Sequence, residues 1–86
     1  MNRNEIERTV LLAVAEEISR ARQLPIEPSD LDTDRDLAEN GVDSLKAITI
    51  MFTLEDKLGI EIGTDAIETV RTVNDIVDVV AGLLGE

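Results

Sequence analysis

The stretch of residues 44–58 constrains the fold more than any other part of this chain. Its apolar residues recur at helical spacing around a wide arc, in two ridges. The first ridge is Leu45, Ile48 and Phe52, and the second is Ala47, Ile50, Met51, Leu54 and Leu58. A helix with so wide an apolar arc is typical of the centre of a bundle, so both ridges are expected to point inward, with Leu45 securing the first turn.

Two further stretches carry apolar residues at helical spacing. Residues 4–22 predict a helix whose buried face is Ile6, Val10, Ala13, Val14, Ile18 and Ala21, and Pro25 and Pro28 prevent its continuation. Thr72, with Asp75 three residues later, predicts the capped start of a last helix, whose stripe is Val73, Ile76, Val77, Val80 and Leu84. A short helix capped by Thr64 is expected to run to about Val70. The chain is therefore predicted to form a single domain over residues 1–86, an all-α four-helix bundle of three main helices and one short helix, with a long first loop.

The long first loop, residues 24–43, contains most of the excess acid. It holds seven acidic residues against one arginine, a charge of −6 out of −11 for the chain. Apolar residues recur through it at Leu24, Ile26, Leu31, Leu37 and Val42, and we expect Leu31 and Leu37 to hold it against the core. A loop of this length in a small domain is often functional.

Composition excludes several classes of function. The chain has no cysteine and no histidine, so it lacks disulfides, thiolate metal sites and the usual general base near neutral pH. The excess of acid disfavours nucleic acid and anionic membranes as partners. No apolar run resembles a signal peptide or a membrane span, which favours a cytoplasmic monomer without membrane insertion.

Ser44 is the hydroxyl of greatest interest, because it lies where the central helix begins. Asp43 is a good cap for that helix, which would place Ser44 in the first turn with its hydroxyl outward, after the flexible Gly41. A serine nucleophile needs a base, and only Lys46 is near, so we expect no enzyme activity. Unpaired N–H groups at a helix start favour an anion by about 0.3–1 kcal/mol, which suits a phosphate ester on Ser44. A simple capping serine remains the alternative.

The acidic loop also resembles a calcium-binding EF-hand loop. Asp32, Asp34 and Asp36 have the spacing of its first three ligands, with Asp43 in the twelfth position. Leu37 stands where that loop needs glycine, and Asp43 is shorter than the usual glutamate. The pattern therefore predicts no specific metal site, and only weak divalent binding at the three aspartates.

The residues Gly41-Val42-Asp43-Ser44-Leu45 resemble the attachment motif of acyl carrier proteins, G-x-D-S-L, at every fixed position. The resemblance extends over about residues 5–84. It includes the loop segments 30–31 and 36–39, the segment 54–62, and the last helix start at 72–77.

The resemblance implies a function for Ser44. It would accept 4′-phosphopantetheine from coenzyme A, delivered by a phosphopantetheinyl transferase, with Gly41, Asp43 and Leu45 completing the site. The arm would carry acyl groups as thioesters to loading and processing enzymes of fatty acid, polyketide or specialised lipid biosynthesis. A peptidyl or aminoacyl carrier, and an unmodified acidic interaction domain, remain alternatives.

One departure from the family concerns partner docking. Carriers of general fatty acid synthesis usually present acidic side chains along the second helix. Here the predicted docking strip is Lys46, Thr49, Thr53 and Asp56, together with Lys57, and it is close to neutral. This difference predicts a specialised carrier with its own cognate enzymes.

Overall fold

Four α-helices and one 3₁₀ turn make up the regular structure of residues 1–85, the part of the chain that the computed structural model describes. The helices are α1 (Arg3–Arg22), α2 (Ser44–Leu58), α3 (Thr64–Thr69) and α4 (Val73–Leu84), and the 3₁₀ turn is Pro28–Asp30. The predicted all-α bundle of three main helices and one short helix is confirmed. None of the described helices is long and apolar enough to cross a membrane.

Helix α1 packs against both α2 and α4. It begins at a capping box, in which the Asn2 side chain accepts from the Glu5 N–H and the Glu5 side chain accepts from the Asn2 N–H. The predicted stripe is buried from Ile6 to Ile18, but Ala21 is exposed, so that prediction was wrong. The helix ends one residue later, at Arg22.

Helix α4 begins as the sequence predicts. The Thr72 hydroxyl accepts from the Asp75 N–H at 3.1 Å, and the Asp75 carboxylate accepts from the Thr72 N–H at 3.1 Å. Its stripe from Val73 to Val80 is buried against α1. Thr64, by contrast, does not cap α3. It is the first residue of that helix, and Gly63 occupies the cap without a side-chain hydrogen bond.

The long loop is fixed to the bundle at several points. Leu37 is buried, and Ile26 and Leu31 are partly buried against the core, as expected, whereas Leu24 is 59% exposed. Ser19 of α1 accepts from the Ile26 N–H at 2.9 Å, which holds the start of the loop against α1. The backbone farther along forms an isolated antiparallel bridge between Asp36 and Thr72.

Candidate functional site

A tight turn places the start of α2. The Leu37 carbonyl accepts from the Val42 N–H at 2.8 Å, and Val42 is buried. Gly41 has a φ of +93°, and a Cβ atom added to it would lie 2.6 Å from Arg22 Nη2. Only glycine adopts that φ without strain, so Gly41 shapes the turn, and the end of α1 covers it.

The same loop is joined to the start of α4. The Leu37 N–H donates to the Arg71 carbonyl at 2.7 Å, and the Asn74 N–H donates to the Thr33 carbonyl at 3.1 Å. The Asn74 side-chain amide also donates to Asp34 Oδ1. These bonds hold the loop in place before α2 begins.

Asp43 caps α2, as predicted. Its carboxylate accepts from the Lys46 N–H at 2.9 Å and from Lys46 Nζ at 3.3 Å. These two contacts, the backbone bond first, lower the pKa of Asp43 from its ordinary value of 3.8. The carboxylate is therefore ionised at neutral pH, and the first turn of α2 is held in a defined geometry.

The lowered pKa gives a pH-dependent contribution to stability. Because the folded-state value lies below 3.8, the contribution is fully present above that pH and is lost as pH falls through the folded-state value. We expect Asp43→Ala to lower the melting temperature at neutral pH, by an amount that shrinks below pH 3.8. Asp43→Asn is the control, since its neutral cap should differ from alanine by the same amount at every pH. A wild-type advantage over alanine that stays constant into acid would contradict the assignment.

Ser44 occupies the first turn of α2, directly after the cap. Its side chain is exposed, and its hydroxyl makes no hydrogen bond to any residue from 1 to 85. The site fits a phosphate-linked group, because the hydroxyl is accessible and the helix start favours negative charge.

A cavity of about 500 Å³ opens beside Ser44. It lies between the loop, α2 and the segment from α3 to α4. Its apolar lining is Leu37, Val42, Ala47, Ile48, Ile67 and Val70. A cavity of this size, with an apolar lining and an exposed hydroxyl beside it, suits a small apolar ligand.

The outward face of α2 is apolar, which the sequence analysis did not predict. Leu45 is 76% exposed, Ile48 40% and Phe52 58%, so the first ridge points to solvent. The expectation that Leu45 points inward was wrong. With 3.6 residues per turn this ridge lies opposite the buried Ile50 and Leu54, and α1 covers only that inner side.

The predicted docking strip is less exposed than expected. Lys46, Thr49 and Thr53 are half-buried, whereas Asp56 and Lys57 are exposed. The hydroxyl of Thr49 donates to the Leu45 carbonyl at 3.1 Å, and that of Thr53 donates to the Thr49 carbonyl at 3.0 Å. At 3.6 residues per turn, the strip lies beside the apolar ridge on α2. The methyl groups of the threonines and the stem of Lys46 can lie against that apolar surface.

The acidic loop does not gather a metal site. Asp32 accepts from the Asp34 N–H at 2.9 Å and pairs with Arg35 at 3.5 Å, and Asp34 is turned toward Asn74. Within residues 1–85 no three carboxylates are close enough to hold an ion. Weak divalent binding at Asp32, Asp34 and Asp36 stays a prediction, because loosely held ions do not require such a cluster.

Comparisons with known proteins point in one direction. The family model for the phosphopantetheine attachment site matches residues 12–80. An acyl carrier protein from Thermosynechococcus vestitus is 32% identical over 79 residues, which is 91% of this chain and 90% of that protein. One from Acidothermus cellulolyticus is 30% identical over 73 residues, 84% of each chain. The crystal structure of an acyl carrier protein from Thermotoga maritima has the same fold, with a TM-score of 0.75 at 24% identity over 93% of this chain and 92% of that one.

The matched residues include the turn, the capped start of α2 and the cavity described above. Their extent and the agreement of the fold confirm the resemblance noted in the sequence. The chain therefore belongs to the acyl carrier protein family, a family of carriers and not of enzymes, and its cofactor is covalently attached 4′-phosphopantetheine.

Proposed function

We propose that Ser44 is the attachment residue and that this protein carries acyl groups as thioesters. The observation that carries the proposal is the exposed Ser44 hydroxyl on the first turn of α2, which lines an apolar cavity and has no hydrogen-bond partner among residues 1–85. The arm supplies the thiol, which a chain without cysteine cannot supply.

The chain itself contributes a rigid point of attachment and a cavity for the cargo. Gly41 and Asp43 set the position of Ser44, and the buried Val42 prevents the turn from moving away from the core. The adjacent cavity is large enough for part of an acyl chain, and its walls come from α2, α3 and the loop. In this proposal the arm is mobile, whereas the turn that carries its attachment residue is rigid.

The partners in this proposal are a phosphopantetheinyl transferase and enzymes that load and process acyl groups. They would approach over the outward face of α2, where Leu45, Ile48 and Phe52 are exposed, with Asp56 at its far end. Exposed apolar side chains grouped on one helix face are typical of protein interaction sites. A cytoplasmic monomer of one domain is part of the same proposal.

We further propose that the pathway is specialised. Carriers of general fatty acid synthesis usually present acidic side chains along this helix to their enzymes. Here position 46 carries lysine and position 49 carries threonine, so the docking strip is close to neutral. Fatty acid, polyketide and specialised lipid pathways all fit, and an aminoacyl cargo is the alternative. Elongation by housekeeping enzymes at the rate of the host's general carrier would refute the specialisation.

The attachment site is tested by intact mass. After incubation with coenzyme A and a broad-specificity transferase, the wild-type chain should gain the mass of one phosphopantetheine, and Ser44→Ala should gain none. Ser29→Ala is the matched control, because Ser29 is also exposed but lies in the 3₁₀ turn, and it should be modified like the wild type. No gain with several transferases would favour an unmodified interaction domain.

A further inference from the structure

The cavity beside Ser44 is lined by more acidic than basic residues. Asp36, Asp43 and Glu68 line it, and Arg71 is its single cation within residues 1–85. Lys46 compensates Asp43 at 3.3 Å. Asp36 and Glu68 form no ion pair with the described residues. A new anion on Ser44 would therefore meet negative charge on the cavity side, except at Arg71.

Arg71 has a fixed main chain and a free side chain. Its N–H donates to Asp75 Oδ2 at 2.9 Å, and its carbonyl accepts from the Leu37 N–H at 2.7 Å. Its guanidinium makes no hydrogen bond or ion pair anywhere in the described chain, although two unpaired carboxylates line the same cavity. The five N–H donors of this cavity-lining residue are thus available to a ligand.

The other basic residues do not offer an equivalent. Five of the eight form ion pairs with nearby carboxylates, namely Arg3, Arg20, Arg35, Lys46 and Lys57. Arg22 lies over Gly41, and Arg8 lies on α1 beside Asn4 and Glu7. Three arginines form no ion pair within residues 1–85, and of these only Arg71 lines the cavity beside Ser44 in that part of the chain.

We propose that Arg71 binds the phosphodiester oxygens of a group attached to Ser44 and thereby directs the arm toward the cavity. The inference rests on the proposed function of Ser44. A guanidinium presents two parallel N–H donors to phosphate oxygens, which gives direction as well as attraction. Arg71 is a positioning residue in this role. Its fixed backbone sets where the guanidinium can reach, and the apolar walls lie beyond it.

A carboxylate at the far end of certain acyl cargoes presents the same anionic chemistry. Of these two anions, we favour the phosphodiester as the ligand of Arg71, because Ser44 fixes its position whatever the cargo. A terminal carboxylate would reach Arg71 only when the arm folds back on itself. Hexanoyl-loaded and succinyl-loaded proteins distinguish the two sources, since only the second has a free carboxylate.

The test compares the full chain before and after modification. The Arg71 Nε–H resonance should shift on attachment of the arm and stay shifted with hexanoyl cargo, while the Arg8 resonance stays in place. Attachment should also raise the melting temperature of the wild type more than that of Arg71→Gln, by at least about 4 °C. Arg8→Gln is the matched control and should respond like the wild type. The difference should decrease at high salt, which screens exposed charges.

The possible failures are distinguishable. A wild-type chain that gains no mass overturns the proposed function, and this inference with it. A chain that gains the mass but leaves the Arg71 resonance and the Arg71→Gln melting difference unchanged overturns this inference alone. A shift seen only with succinyl cargo also overturns it and assigns Arg71 to the carboxylate.

Discussion

Leu54→Ala is expected to lower the free energy of unfolding by about 2–5 kcal/mol. Leu54 is fully buried in the second half of α2, in the cluster that joins α2 to α1 and α4. Removing its isobutyl group loses the transfer free energy and leaves a cavity that rigid neighbouring helices fill only in part. Small domains have total stabilities of about 5–15 kcal/mol, so the loss is a large fraction. Urea unfolding followed by far-UV circular dichroism measures it.

Leu45→Ala is the matched control for Leu54→Ala, since the same change is made on the same helix. Leu45 is 76% exposed, so truncation should alter the free energy of unfolding by no more than about 0.5 kcal/mol. Comparable losses at the two positions would show that the first ridge is buried in solution. Such a result would support the inward orientation of this ridge that the sequence pattern predicted.

Phe52→Ala is expected to leave stability unchanged and to lower kcat/KM for transferase loading by about tenfold or more. Phe52 is the chain's one aromatic residue, and 58% of it is exposed on the outward face of α2, over which we propose that partners approach Ser44. Aromatic side chains at the centre of an interface often contribute more than 1 kcal/mol to binding, and 1.4 kcal/mol is a factor of ten. Initial rates at low carrier concentration give kcat/KM.

Thr53→Ala is the control for the docking face. Thr53 is the neighbouring residue but is half-buried, with its hydroxyl satisfied by the Thr49 carbonyl. Its removal should change the loading rate by less than about twofold, since contacts outside an interface centre contribute little. If Thr53→Ala slows loading as much as Phe52→Ala, the partner reads the polar strip and not the apolar ridge.

Local signals in the sequence were sufficient for much of the fold. Pro25 and the pair Thr72 and Asp75 mark helix boundaries because each acts within one turn of the backbone. The local geometry of the G-x-D-S-L motif could be predicted for the same reason, since the Asp43 cap and the Gly41 turn are both local.

The orientation of α2 could not be predicted in this way. Its two apolar ridges have equivalent spacing, and nothing in the segment says which one α1 will cover. A helix that binds partners keeps one ridge exposed, so its pattern resembles that of a fully buried helix.

The role proposed for Arg71 could not be predicted from the sequence for a related reason. Only the tertiary bond between Leu37 and Arg71 brings that residue to the cavity, across 34 positions of sequence.

That bond has a consequence for the order of events during synthesis. The loop before Ser44 takes its shape from partners at Arg71 and Asn74, which the ribosome delivers well after Ser44 itself. Closing such a distant contact costs chain entropy that only the packing of α4 on α1 offsets. The turn before Ser44 is therefore complete only in a chain that has folded through α4. A transferase that requires this turn would leave nascent and truncated chains unmodified.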